Sequence, residues 1–210
     1  MRAALTLSLS LSIAAAAAAQ TPAPAAQHDH NHDAAAPAPA AGGLLAGLSN
    51  DDYVERILSG APANLRPSLG VIRWKADYTY ETLKAGTGRL VCFDRSGEDR
   101  RNPVAAQCTS IGSLPRVVQN RRFRAESKTN EEEQAKVAAA EKNGTRIKPE
   151  YGSPWINING PDAKTLRTHT TIAVPGATPQ SLGLPDNNKQ GGAWVMDGGT
   201  TGAHIMLPGQ

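Results

Sequence analysis

The spacing of apolar residues predicts two helices with well-defined ends. One begins after Ser49, a polar N-cap that is followed by acidic residues and by apolar side chains at helical spacing, and Gly60 predicts its end. The other begins after Thr129, which forms a capping box with Glu132, and it ends at Gly144. Because its apolar face holds only alanines and one valine, we expect this helix to lie flat against the domain and to bury little.

A further helix is predicted between these two. Ser113 precedes it, Pro115 lies in its first turn, and it runs to about Arg124. Leu114 and Val117 belong to its apolar stripe, and arginines occupy many of the remaining positions. We therefore expect a helix that buries one narrow face and presents its charges to solvent.

Runs of β-branched and aromatic residues bounded by turn residues predict strands. The predicted strands are 71–74, 78–83, 89–93, 164–174, 193–196 and 203–207. Gly86 and Gly88 lie between the second and third strands and predict a hairpin turn, so we expect the first three strands to be antiparallel. The pattern predicts an α+β fold: one small domain with a mainly antiparallel sheet, about three short helices and long loops.

The beginning of the chain has a pattern typical of an exported protein. Arg2 is followed by an apolar stretch and then by alanines up to Gln20, as in a secretory signal peptide with its small-residue cleavage site. Residues 21–43 are mostly Ala, Pro and His, a composition that predicts a disordered tether. The predicted divisions are a signal peptide at 1–19, a linker at 20–47 and one globular domain at 48–210.

Composition supports a single domain. The amino-terminal pattern predicts that this domain works outside the cytoplasm, in the periplasm or secreted. Roughly 160 residues follow the tether, a comfortable size for one domain. The 20 glycines and 15 prolines of the chain favour short strands and many turns over long helices. No second apolar stretch is long enough to span a membrane, so we expect no transmembrane segment after signal cleavage.

The chain has two cysteines, Cys92 and Cys108, and such a pair in an exported protein predicts one structural disulfide bond. The bond would close the polar segment 94–107, which we expect to be a loop, and would contribute about 3 kcal/mol through the unfolded state. A redox pair is the alternative. The spacing is far wider than the Cys-x-x-Cys of redox motifs, so the structural interpretation is preferred.

Several short motifs are spread from about Asn50 to Pro208. They are Gly-Ala-Pro at 60–62, Leu83-x-x-Gly86-x-Gly88 before Cys92, the second cysteine Cys108, Pro-Gly-Ala-Thr at 175–178, Gly-Leu-Pro at 183–185, and the tail Ala203-His204-Ile205-Met206 with Pro208. In these motifs the chain resembles a family of secreted or periplasmic bacterial proteins to which no activity is assigned. The resemblance implies an exported domain with paired cysteines, and it implies no reaction. The chain departs from the family at Thr87, where relatives often have an aromatic residue or Asn.

Three histidines of the tether, His28, His30 and His32, alternate with Asp and Asn. Imidazoles at this spacing on an extended chain could bind a borderline metal ion such as Zn²⁺ or Cu²⁺, with carboxylates completing the shell. Nothing preorganises such a site, so it would be weak. The alternative is a solvated polar spacer, in which case no cofactor is expected.

The two histidines of the domain, His169 and His204, lie on predicted strands near its end. If these strands are neighbours, the rings could converge on a metal ion or a proton-transfer site, with Asp162 or Asp197 as acidic partners. The preferred interpretation is that each ring is hydrogen-bonded to the backbone, because the pair lacks a third ligand.

Positive charge is concentrated in one part of the chain, although the net charge is only +3. The arginines of the predicted middle helix are Arg116, Arg121, Arg122 and Arg124. They could bind phosphate or carboxylate groups, and outside the cytoplasm these would belong to a cell-envelope component. Phe123 is the one aromatic residue among these arginines, too few for stacking on successive bases, so no nucleic acid is expected. The alternative is a solvated helix face balanced by nearby acids.

The motifs of common enzymes are missing from the sequence: it has no Gly-x-Ser-x-Gly, His-Glu-x-x-His, phosphate loop or dinucleotide fingerprint. The preferred interpretation is a non-enzymatic exported binding or accessory module that contacts a cell-envelope component or a periplasmic protein. A second interpretation is a periplasmic metal-handling protein that uses the His-rich tether. A third is a small hydrolase or transferase whose site is built from scattered residues.

Overall fold

The fold consists of one mixed sheet with helices on both of its faces. The computed structural model describes residues 45, 47–96, 98, 103–162 and 164–208. Its helices are α1 (Asn50–Ser59), α2 (Leu114–Ala125), α3 (Asn130–Lys142) and α4 (Pro179–Leu182), with 3₁₀ turns at Ile111–Ser113 and Asn188–Gln190. Its strands are β1 (Gly70–Trp74), β2 (Tyr80–Lys84), β3 (Leu90–Asp94), β4 (Val104–Ser110), β5 (Pro154–Gly160), β6 (Arg167–Ala173), β7 (Trp194–Met196) and β8 (His204–Met206). The α+β prediction is confirmed.

The three predicted helices form at the predicted positions, and two of them have the predicted side-chain caps. The Ser49 side chain accepts the N–H of Asp52 at the start of α1, and Thr129 accepts the N–H of Glu132 at the start of α3. Helix α3 buries only Ala140, as its alanine-rich face predicts. The fourth helix, α4, is a single capped turn within the segment that the sequence predicts as loop.

The strands form one sheet in the order β2-β1-β3-β4-β5-β6-β8-β7. Neighbouring strands are antiparallel except β1 and β3, which are parallel. The predicted antiparallel hairpin between β2 and β3 is therefore wrong, since β3 lies on the opposite side of β1 and does not pair with β2. The sheet is still mainly antiparallel.

The glycines between β2 and β3 explain this crossing. A Cβ at Gly86 would lie 2.5 Å from the backbone N of Gly70 and 2.7 Å from the Ser68 carbonyl oxygen. The N–H groups of Thr87 and Gly88 both donate to that Ser68 carbonyl. Glycine is required at Gly86 because its backbone touches the backbone at Gly70, the first residue of β1. This close approach lets the chain cross the start of β1 and enter the sheet on its other side as β3.

Two central strands, β4 and β5, were not predicted as strands. The segment 94–107 was expected to be loop, but β4 begins at Val104 and pairs with both β3 and β5. Cys92 lies directly opposite Cys108 in the β3–β4 pair, and the two form the predicted disulfide bond. The bond therefore joins two neighbouring strands at the centre of the sheet and does not merely close a loop.

A hydrophobic core lies on each face of the sheet. On one face, Tyr53 and Ile57 of α1 pack on residues of β1, β3, β4 and β5 that include the disulfide. On the other face, Leu114 and Val117 of α2 pack on Phe93 of β3 and its neighbours. The sheet is thus held between α1 and α2.

The predicted signal peptide (1–19) and all but two residues of the predicted linker (20–47) lie outside the described residues. One of those two, Leu45, is 6 % exposed and packs in the core beside α1. Among the described residues, no helix has the length and apolar character needed to cross a membrane.

Candidate functional site

The structure places His169 and His204, which the sequence allows to be neighbours, at different positions along the sheet. His204 on β8 lies opposite Ala173 of β6, four residues beyond His169. At about 3.3 Å per residue and 4.8 Å between strands, the two Cα atoms are about 14 Å apart. The two histidines therefore do not pair with each other across the strands: His169 lies opposite Asn157 of β5 and His204 opposite Ala173 of β6. The tether residues His28, His30 and His32 lie outside the described residues, so metal binding by the tether stays a prediction.

His204 makes the backbone contact that the preferred interpretation expects. Its Nδ1 lies 2.8 Å from the Gly202 carbonyl oxygen, and the carboxylate of Asp197 lies 3.9 Å away. Asp162 instead accepts the N–H groups of Lys164 and Thr165 in the loop before β6. Within the described ranges, no three His, Cys, Asp or Glu side chains are grouped in a way that could hold a metal ion.

The arginines of α2 point in three directions and do not form one anion site. Arg116 is 8 % exposed and donates to the Ile147 carbonyl and to the Thr201 hydroxyl. Burial lowers its pKa to about 10, which leaves it charged at neutral pH. The Arg122 guanidinium lies 5.4 Å from the ring centroid of Tyr78. Only Arg121 and Arg124 share a partner, the carboxylate of Glu98.

Glu98 binds three arginines at once. Its Oε2 accepts from Nε of Arg95 at 3.0 Å and from Nη1 of Arg124, and its Oε1 accepts from Nη1 of Arg121 at 2.6 Å. Arg124 also donates to Glu133 of α3 at 3.0 Å. Burial alone would raise the pKa of Glu98, but the three guanidiniums outweigh it and hold the pKa below the ordinary glutamate value. The cluster ties α2 and α3 to the end of β3.

Four buried hydroxyl groups meet at the other end of α2. The Ser153 Oγ lies 3.0 Å from that of Thr109, 2.9 Å from that of Ser110 and 3.2 Å from that of Ser113. All four residues are at most 3 % exposed. The cluster joins the end of β4, the 3₁₀ turn before α2 and the residue before β5 through buried hydrogen bonds.

The two edges of the sheet differ. At one edge, the N–H of Val195 in β7 donates to the Pro185 carbonyl at 2.9 Å, so the loop before β7 lies along that strand. At the other edge, no described segment pairs with the outer side of β2, whose first three residues are exposed. An exposed edge strand presents unpaired N–H and C=O groups that can receive another strand.

A groove lies beside this open edge, on the face of the sheet that carries α2. Its volume is about 100 Å³, and its floor and walls are mostly apolar. It is lined by Gly70, Ile72, Tyr80, Thr82, Lys84, Gly86, Gly88, Leu90, Val91, Ile111 and Leu114. Two of these apolar residues are solvent-exposed: Tyr80 at 42 % and Ile111 at 55 %. Large apolar side chains exposed at one place are typical of binding surfaces.

The sequence did not identify this site. Its residues come from β1, β2, β3 and the start of α2, and the parallel pairing of β1 with β3 brings them together. A local signal did exist: Tyr80, Thr82 and Lys84 alternate along a strand that contains charged residues, as edge strands often do. Deducing that this strand is an edge requires the sheet order.

Comparison with protein-family models, with curated proteins and with solved structures finds no match to this chain. The resemblance to a family of exported bacterial proteins therefore stays a prediction. The fold and the site define the protein as a disulfide-bonded α+β domain with one covered and one open sheet edge.

Proposed function

We propose that this protein is an exported, non-enzymatic binding module. It binds a partner protein by accepting an extended segment of the partner as an additional strand next to β2. The observation that carries the proposal is the open outer edge of β2 beside an apolar groove. Strand addition of this kind draws affinity from main-chain hydrogen bonds and specificity from side-chain pockets along the strand.

The rest of the sheet supports this choice of surface. The edge at β7 is bonded to the segment around Pro185, and α1 and α2 pack on the two faces. The groove provides a pocket for side chains of the added strand, since Tyr80 and Thr82 lie on the same face of β2 as the groove. An edge and a pocket that adjoin each other are what this recognition mode requires.

Export is part of the proposal. The disulfide bond between Cys92 and Cys108 supports a compartment in which thiols are oxidised, and the amino-terminal pattern supports cleavage after residue 19. Cell fractionation followed by mass spectrometry of the mature amino terminus tests this point. A full-length chain recovered from the cytosol with both thiols reduced would contradict it.

Selection from a displayed library of linear seven-residue peptides tests the binding function. We expect enrichment of peptides that slow amide hydrogen exchange at 80–84 when they bind. Thr82→Arg places a long charged side chain at the groove and should weaken binding at least tenfold. Thr145→Arg adds the same charge at an exposed residue after α3, outside the groove lining, and should leave binding unchanged.

Two results would contradict the proposal. One is a selection that enriches no peptide on the folded, oxidised protein. The other is a set of peptides that bind Thr82→Arg as tightly as they bind the unaltered chain, because such peptides would bind elsewhere.

A further inference from the structure

We infer that the segment bound at β2 carries a carboxylate group at the Lys84 end of the groove and an apolar side chain opposite Thr82. The inference rests on the proposed function, because it specifies the chemistry of the strand that the open edge accepts. The carboxylate belongs to an acidic side chain of the segment, and a free chain end is the alternative that the matched peptides test.

The first step is the geometry of β2. Tyr80 and Thr82 alternate along the strand, and both line the groove. The pairing of β1 with β2 is irregular between Thr82 and Lys84, so Lys84 lines the end of the groove beyond a bulge. In an added strand, the residues directly opposite Tyr80 and Thr82 lie on the groove face, with Cβ atoms about 5 Å from their partners.

The second step is the middle of the groove. Beyond Thr82 the floor is Ile72 of β1, and the far wall is formed by Ile111 and Leu114 at the start of α2. A volume of about 100 Å³ corresponds to about three water-sized groups, which is the size of one aliphatic side chain. An apolar residue opposite Thr82 therefore fills the groove and buries Ile111, which is 55 % exposed in the free chain.

The third step is the charge at one end. Of the described residues that line the groove, Lys84 alone is charged. Its Nζ donates to the carbonyl oxygens of Pro67 and Leu69, and no described carboxylate forms an ion pair with it. An ammonium group can donate three hydrogen bonds, so one remains for a ligand, and a charge-assisted bond to a carboxylate is the strongest that it can form.

The fourth step is the space around Lys84. Gly86 and Gly88 line this end of the groove and have no side chain to block it. The acid near the adjoining turn, Glu150, is paired with Arg89 and so does not neutralise Lys84. A carboxylate opposite Lys84 therefore meets an uncompensated positive charge without steric obstruction.

The experiment compares matched peptides. A peptide enriched on the protein is synthesised with each acidic residue changed to its amide and, separately, with a free or an amidated carboxyl end. Fluorescence anisotropy at low ionic strength then gives Kd for the unaltered chain, for Lys84→Gln and for Lys75→Gln. Lys75 is an exposed residue of the β1–β2 turn outside the groove lining, and it serves as the control for loss of one charge.

For the unaltered chain and for Lys75→Gln, we expect that changing one carboxylate of the peptide to its amide raises Kd about tenfold. In Lys84→Gln this difference should fall to less than about twofold. The sensitive group should be an acidic side chain of the peptide. A preference that follows only the free carboxyl end would overturn the assignment to an acidic side chain.

Peptides that bind the edge but contain no carboxylate that matters would overturn this inference and leave the proposed function standing. A Lys84→Gln variant that keeps the full preference for the acidic peptide would do the same. If Lys84→Gln does not fold, the salt dependence of Kd in the unaltered chain decides: an acidic peptide whose binding is no more salt-sensitive than that of its amide contradicts the inference. Failure of every peptide to bind contradicts the proposed function itself.

Discussion

Glu98 shows how a single side chain determines the arrangement of charged residues around α2. Arg121 and Arg124 come from the helix, Arg95 follows β3, and all three donate to one carboxylate that is 8 % exposed. Arg121 and Arg124, two of the arginines predicted as possible anion ligands, therefore bind a carboxylate of the chain itself. Their role here is to fix α2 against the sheet.

The Glu98 carboxylate should make stability depend on pH. Glu98→Gln keeps the shape and removes the charge, so we expect the free energy of unfolding at pH 7 to fall by about 3 kcal/mol. The folded-state pKa of Glu98 is lowered, so its contribution is present above the unfolded-state pKa of about 4.3 and is lost as the pH falls through the folded value. The difference between the two proteins should therefore shrink below about pH 4. Urea denaturation from pH 3 to pH 7 measures it.

The control for this change is Glu81→Gln. Glu81 pairs with Arg73 on the surface of the sheet, where its side chain is 45 % exposed. Solvent screens such a pair, so its loss should change stability by less than about 0.5 kcal/mol at any pH. Equal effects of the two substitutions would show that burial of Glu98 has no energetic consequence.

Ser153 is a second residue whose partners predict a measurable cost. Ser153→Ala removes the oxygen that Thr109, Ser110 and Ser113 share, and it leaves buried hydroxyls without that partner. We expect thermal or urea unfolding to show a loss of about 1–3 kcal/mol. Ser59→Ala, at an exposed serine of α1, should change stability by less than about 0.5 kcal/mol. A neutral Ser153→Ala would mean that the cluster is not stabilising.

At the level of elements, the crossing between β2 and β3 depends on one glycine. Gly86→Ala would place a Cβ 2.5 Å from a backbone atom of Gly70, which cannot move without disturbing β1. We expect a loss of about 2 kcal/mol or more and faster amide exchange in β1 and β2. In contrast, a Cβ at Gly88 meets no atom closer than 3.6 Å, so Gly88→Ala should be close to neutral. If both alanines are tolerated equally, the close approach does not determine the crossing.

The elements that the sequence predicted correctly are those with local signals. The caps Ser49 and Thr129 lie within one turn of the helices they start, so neighbouring residues are enough to place them. Strand β4 was missed because Val104–Ser110 is mostly small side chains buried on both faces, which removes the alternation that identifies a strand. Strand β5 does alternate, with Ile156 and Ile158 buried between less buried asparagines, and that signal could have been found.

The arrangement of the elements was less accessible from the sequence than the elements themselves. The parallel pairing of β1 with β3 is set by contacts between segments about 20 residues apart, and a glycine-rich connection of this length is also compatible with a hairpin. The groove and its Lys84 follow from that pairing. The sequence predicted candidate residues from their chemistry alone. The groove could be found only once the strand pairing was known.

At the level of the whole molecule, the disulfide bond joins the two strands at the centre of the sheet. Replacing both cysteines with alanine should lower the free energy of unfolding by about 2–4 kcal/mol, because the unfolded chain is then less constrained. Guanidinium denaturation of the double variant measures this change. Adding reductant to the unaltered protein should give the same shift only after unfolding, because both cysteines are 0 % exposed. A loss below about 0.5 kcal/mol would contradict the structural role assigned to the bond.

The burial of both sulfur atoms has a consequence for how the protein matures. An oxidase acts by direct contact with a thiol, and the finished sheet leaves no path for that contact. A polypeptide that completed its fold with Cys92 and Cys108 still reduced would have to open again before it could be oxidised. We therefore expect the bond to form before the sheet closes over the two thiols, so that oxidation precedes the last step of folding.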